Sequence, residues 1–312
     1  MTFQRPGALN WFLLMSLGII WGGSFPAVAF ALTGFGPLTT VALRLSVAAV
    51  LIGAFAFIRG DGLPGLRSAT GRRIWLHCLG LAVFSNVLPF SLLSWGQLYV
   101  SAGFAGINMA VVPLLVLPLA HVLLPDERMT ALKSAGFVTG FCGVAVLIGP
   151  GIFDSTGAPV ELLARLACFS AALCYAIGGI VTRLSPPAPL LSFAAASLIL
   201  AAIIAVPLSL SLEGIPQYPP PEAMAGIAYL GVVPTAVATL ILVRIITTAG
   251  PSFLSLTNYQ VPVWAIIIGM VMLSESLPAQ FVGALALILS GLVLANATSW
   301  RTARRQKNRS RL

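Results

Sequence analysis

The sequence predicts an all-α integral membrane fold of ten transmembrane helices, arranged as two inverted-topology five-helix repeats. Three observations carry this expectation. Of 312 residues, 58% are hydrophobic and only 8% are charged, whereas a soluble domain carries about 25% charged residues. So apolar a chain needs lipid as part of its solvent. The apolar residues are gathered into ten long runs, and the two halves of the chain share short motifs in the same order.

A helix needs about 20 predominantly apolar residues to cross a bilayer. The runs that satisfy this lie at 9–32, 37–58, 74–98, 102–124, 131–149, 160–182, 189–212, 222–247, 251–273 and 278–298. Gly103 and Gly250 break runs that would otherwise fuse. The first run is long enough to span and has no small-residue cleavage site behind it, so it reads as a span and not a signal peptide.

A formal charge of +9 would suit a nucleic-acid binder, but the placement of the cations argues for membrane topology instead. Arg5 precedes the first span, and Arg59, Arg67, Arg72 and Arg73 lie between the second and third. Arg128 and Lys133 lie between the fourth and fifth, Arg183 follows the sixth, and Arg244 ends the eighth. Arg301, Arg304, Arg305, Lys307, Arg309 and Arg311 follow the tenth. All of these fall on one side. The opposite loops hold no Lys or Arg, while Asp154, Glu161, Glu213, Glu222 and Glu275 lie at or near them. The expectation is a multi-pass protein of a bacterial inner membrane with both termini cytoplasmic. Cys78, Cys142, Cys168 and Cys174 have no metal-ligand spacing and read as small core residues without disulfides.

The repeat is visible in the residues. Ser101-Ala102-Gly103 recurs as Thr248-Ala249-Gly250, Pro89 corresponds to Pro234, Pro113 to Pro262, Glu127 to Glu275 and Gly136 to Gly283, at a nearly constant offset. Five spans per copy is an odd number, so the second copy enters from the opposite side. Inverted repeats of this kind put a solute site near the midplane between the copies. The expected units are 1–152 and 153–300, one repeat each, with a basic tail at 301–312.

Family motifs sit on this frame. They are Trp21-Gly22-Gly23-Ser24-Phe25, Ala42-Leu43-Arg44-Leu45, Tyr99-Val100-Ser101-Ala102-Gly103 leading to Pro113, Glu127-Arg128, and Thr248-Ala249-Gly250 leading to Pro262 and Glu275. In order and spacing, the chain resembles the drug/metabolite transporter superfamily in its ten-span EamA-type branch, and within it the YddG-like amino acid exporters. The resemblance implies a ten-helix inverted-repeat fold and export of small metabolites, aromatic or small neutral amino acids foremost. The four-span multidrug relatives carry a membrane-embedded Glu in span one. Here that span has no Asp or Glu, and no carboxylate falls at the middle of any span.

Candidate site residues follow from the cost of polar groups in hydrocarbon. Arg44 costs roughly 2.5–3.5 kcal/mol on insertion scales and needs a partner. It is a possible anchor for a substrate carboxylate by bidentate bonding; the plain alternative is snorkelling to the outer face or bonding free helix carbonyls. Trp21, Ser24, Asn86, Trp95, Asn108, Tyr175, Tyr259 and Gln260 are candidates to line a polar, aromatic cavity walled by spans one, three, four, six, eight and nine. Each alone serves equally as a helix–helix contact. Pro89, Pro113, Pro234 and Pro262 are candidate hinges, or simply static packing elements. Gly136-xxx-Gly140 permits a close helix contact, internal or between two copies, so a monomer and a homodimer both fit. His77 and His121 read as interfacial residues.

No cofactor or metal is expected. An intramembrane enzyme would need a metal motif, a nucleophile elbow or paired Asp residues, and the sequence has none of these. The expected function is therefore a transporter of small solutes working by alternating access, as a facilitator, since a coupled proton needs a titrating group within the spans. A proton-coupled multidrug or purine exporter of the same superfamily is the alternative.

Overall fold

The computed structural model describes residues 6–124, 128–148, 159–216, 218–276 and 279–309. These form ten helices: α1 (Ala8–Ala31), α2 (Pro37–Ile58), α3 (Ala69–Gly96), α4 (Ala102–Leu123), α5 (Ala131–Ile148), α6 (Pro159–Leu184), α7 (Leu190–Leu212), α8 (Pro221–Ala249), α9 (Thr257–Leu273) and α10 (Ala279–Arg309). Seven are long and apolar enough to cross a membrane, and α5, α9 and α10 contribute shorter apolar stretches. Their outer surfaces are themselves apolar. Val50, Val122 and Val271 are 70%, 78% and 78% exposed, which only a lipid solvent tolerates around a whole bundle.

The packing obeys an approximate twofold relation between α1–α5 and α6–α10. α3 packs on α6 and α8 on α1; α4 packs on α6 and α9 on α1; α2 pairs with α7, α5 with α10 and α4 with α9. The principal contacts of one copy thus have counterparts in the other, as inverted topology requires. Gly136 serves the internal α5–α10 contact. A Cβ there would lie 2.5 Å from the Gly291 carbonyl oxygen, so only hydrogen fits.

Three details differ from the sequence reading. The chain turns at 97–101 and Gly103 already lies inside α4, with Ser101 as its N-cap, so Gly103 is not the break. Gly250 is one, with φ +88° between two helical segments. Arg165 departs from the one-sided distribution of cations. It stands near the start of α6, on the acidic end of the bundle, where it bonds Glu161 one turn earlier. Of the four cysteines, Cys78 and Cys168 are core residues, whereas Cys142 is exposed. Arg5, Glu127, Asp154 and the boundary between the two expected units fall outside the described residues.

Candidate functional site

The long central helices of the two copies, α3 and α8, are both interrupted at mid-length. Each widens into a π-helical segment, Ala82–Val87 in α3 and Val232–Val237 in α8. Such bulges loosen the backbone ladder and need side chains to complete it. Asn86 Nδ2 donates to Leu81 O at 3.1 Å, and Thr235 Oγ1 donates to Leu230 O at 2.7 Å. Pro234 has no N–H to give the Leu230 carbonyl, four residues before it, which is why a hydroxyl is welcome there. Pro89 lies two residues beyond its π segment while Pro234 lies inside its own. The two prolines are therefore not equivalent positions. The bulges are, and an alignment on prolines slips by about a turn.

The first helix of the bundle meets this bulge. Trp21 Nε1 donates to Pro234 O at 3.2 Å. The two glycines after Trp21 have separate reasons: a Cβ on Gly22 would lie 2.5 Å from Trp264 Cβ of α9, and one on Gly23 would lie 3.1 Å from the Tyr229 hydroxyl. α1 breaks at Gly23, and Ser24 Oγ donates back to Trp21 O at 2.6 Å, closing the break.

Arg44 joins these elements. It is only 7% exposed, so it does not snorkel. Its Nε donates to Thr235 Oγ1 at 2.8 Å, and its guanidinium lies 3.8 Å from the centre of the Phe90 ring. Tyr175 packs edge-on against Phe90 with ring centroids 6.4 Å apart, and the Tyr175 and Tyr229 hydroxyls are both within electrostatic reach of Arg44. Among the described residues, no carboxylate pairs with Arg44 and no acceptor is bonded to its two Nη groups. A guanidinium with its Nη fork uncommitted has the donor geometry that suits a planar anion.

The structure brings together Trp21, Ser24, Arg44, Tyr175 and Pro234 of the sequence candidates. Asn86 completes its own bulge close by. Trp95 is the next-to-last residue of α3 and pairs with Tyr99 at 5.5 Å, at the helix end and not at mid-depth. Asn108 is fully buried and donates to Phe104 O of its own helix at 3.0 Å, while its Oδ1 has no partner among the described residues. Tyr259 packs on the main core, and Gln260 lies against Gly18 of α1. Pro113 follows a 3₁₀ turn at Met109–Val111 in α4, and Pro262 sits inside α9. Phe90, Tyr229 and Thr235 complete the cluster and were not foreseen. Only Thr235 carried a signal, as a hydroxyl next to a proline within a span.

Two carboxylates tie the copies together at one end of the bundle. Glu275 accepts from Ala102 N at 2.7 Å and Gly103 N at 2.9 Å, at the start of α4. Glu213 accepts from Leu38 N at 2.9 Å, Thr39 N at 2.8 Å and Thr39 Oγ1 at 2.7 Å, at the start of α2. Each carboxylate from the second copy meets free N–H groups and the positive dipole end of a helix from the first.

The EamA-like transporter family profile matches residues 9–149 and 162–297, one copy on each half. The chain belongs to the EamA-like transporter family. It is a multi-pass membrane transporter and not an enzyme. Similar curated proteins include a probable terminal-alkyne amino-acid exporter of Streptantibioticus cattleyicolor, 27% identical with 92% of each chain covered. The uncharacterized inner membrane transporter YedA of Escherichia coli is 23% identical, covering 90% of this chain and 88% of its own. A crystal structure with TM-score 0.66 and 20% identity, covering 93% of this chain and 98% of that one, has the same fold. The EamA motifs now have physical reasons: the Trp-Gly-Gly run lets α1 approach α9 while Trp21 reaches the α8 bulge, and the arginine of α2 enters the cluster where α1, α3, α6 and α8 converge.

Proposed function

We propose that this EamA-family transporter exports small carboxylate-bearing metabolites, foremost aromatic or small neutral amino acids, from the cytoplasm of a bacterium. Arg44 anchors the solute's carboxylate, and the rings of Trp21, Phe90, Tyr175 and Tyr229 take its apolar part. The carrying observation is the buried guanidinium, bonded at Nε and stacked on Phe90, with no carboxylate partner among the described residues. The name of the Streptantibioticus relative, an amino-acid exporter, agrees with this reading. Both termini face the cytoplasm, as the basic loops require. Solute passes between the two copies by alternating access, down its own gradient.

The experiment uses proteoliposomes containing only this protein, loaded with labelled amino acids or the corresponding amides. Efflux should favour the carboxylates, and Arg44→Gln should abolish that preference while the protein stays in the membrane. Equal flux of acids and amides would refute the anchor. With solute equal on both sides, an imposed proton or sodium gradient should produce no net accumulation; accumulation abolished by an ionophore would refute the facilitator.

A further inference from the structure

Arg44 is held by a relay that begins at a proline, and the relay has a fixed direction. A threonine hydroxyl owns one hydrogen and otherwise accepts. Several helical threonines in the bundle spend that hydrogen on the carbonyl four residues back: Thr182 on Gly178, Thr139 on Ala135, Thr239 on Thr235. Thr235 departs from the pattern and bonds Leu230, five residues back, at 2.7 Å. The cause is local. The π segment inserts an extra residue into the turn, and Pro234 withdraws the N–H that would have competed for the Leu230 carbonyl.

A carbonyl only accepts, so the Thr235 hydrogen is committed and its lone pairs are what face Arg44. Nε–H of Arg44 fills one of them at 2.8 Å. The order is therefore Arg44 Nε–H to Thr235 Oγ1–H to Leu230 O, and no alternative donor assignment satisfies all three groups. Thr235 is 5% exposed, which leaves little room for water to take its place. The Nε bond stops the guanidinium turning within its plane, and the Phe90 ring at 3.8 Å stops it tilting out of that plane. What remains is the Nη fork, the edge that matches a carboxylate with two parallel bonds.

We infer that Thr235 is a positioning residue for carboxylate recognition, aimed by Pro234 through the freed Leu230 carbonyl, and that Pro234 acts here through hydrogen bonding and not as a hinge. The inference rests on the proposed role of Arg44 as the solute's anchor. A residue that merely steadied the fold would affect all solutes alike. A positioning residue changes the discrimination between an acid and its amide.

The test compares L-phenylalanine with L-phenylalaninamide, and L-leucine with L-leucinamide, in proteoliposomes of the purified protein. Thr235→Val should raise the KM for the acid about tenfold, as expected for loss of a hydrogen bond to a charged group, while the amide KM moves less than about twofold. Thr235→Ser keeps the hydroxyl and should restore the acid KM. Pro234→Ala returns an N–H to the Leu230 carbonyl and should shift the acid KM in the same direction, by less. It also carries the test if Thr235→Val fails to reach the membrane. Equal effects on acid and amide, or failure of the serine to rescue, would overturn the relay while leaving Arg44 as the anchor. If Arg44→Gln leaves the acid KM unchanged, or the parent protein does not distinguish either acid from its amide, the anchor itself is wrong and the relay falls with it.

Discussion

The start of α4 and the start of α9 come from the same stretch of the repeat, and they fold differently. Before α4, Ser101 caps the helix by accepting from Phe104 N at 3.1 Å, Glu275 takes the next two N–H groups, and the first half of α4 packs along α9. In the other copy Thr248 bonds Asn10 Oδ1 at 2.9 Å, Gly250 takes a left-handed φ, and Pro251–Leu254 makes a four-residue helix that packs chiefly against α8. The shared Ser/Thr-Ala-Gly motif thus leads into a capped helix packed on its partner in one copy, and into Gly250-Pro251 and a short helix in the other. Part of the difference is local sequence: Pro251 stands where the first copy has Phe104, and the second copy has two more residues between Gly250 and Pro262 than the first has between Gly103 and Pro113. On the proposed reading, the Glu275 bonds hold the acidic end shut in one half of the transport cycle.

The strongest way to break this asymmetry is a wedge in the closed seam. A Cβ on Gly106 would lie 2.2 Å from Ala265 Cβ of α9. Gly106→Leu should force α4 from α9, since overpacking costs about 1–3 kcal/mol. The outcome is expected in two measurements: loss of flux, and labelling of site cysteines from the acidic end by an impermeant thiol reagent. Unchanged labelling would mean that the seam is not a gate.

Glu275→Gln is gentler. It leaves a neutral acceptor at the start of α4 but removes the charge that faces the helix dipole, worth about 1 kcal/mol. The same labelling should increase several-fold, and the effect should not add to that of Gly106→Leu, because both act on one seam. Independent, additive effects would separate the latch from the gate.

Glu213 sharpens the comparison by contrast. Its bonds join α2 to α7, which pack against one another along the same self-paired contact. Glu213→Gln should lower thermal stability by about 1 kcal/mol, as loss of a helix cap does, and leave side-specific labelling unchanged. A change in labelling equal to that of Glu275→Gln would show that every cross-copy carboxylate controls gating.

Much of this architecture was legible in the sequence, because a span announces itself by length and apolarity and five spans per repeat dictate inversion. Arg44 was legible too, since a charge in hydrocarbon demands a reason. The seam and the relay were not. Glu275 stands out in the sequence as a motif residue, but its bonds to α4 depend on the turn at Ser274, φ +53°, which no sequence pattern announces. Trp95 and Asn108 drew attention as polar or aromatic residues within spans, but composition does not distinguish a cavity wall from a packed contact. Matching Pro89 to Pro234 failed for a similar reason: a π segment adds a residue to the turn without leaving a mark in the amino acids.

The account turns on one site beside Arg44 that faces one side at a time. The most direct measurement places Tyr175→Cys in a background lacking the four native cysteines, in sealed vesicles of known orientation. Without solute, an impermeant maleimide should label position 175 faster from the basic end than from the acidic end, the slower reaction reporting return of the empty carrier. Saturating transported amino acid should make both ends reactive, as the protein cycles. Equal rates from both ends with and without solute, or labelling from neither under any condition, would contradict alternating access at this site.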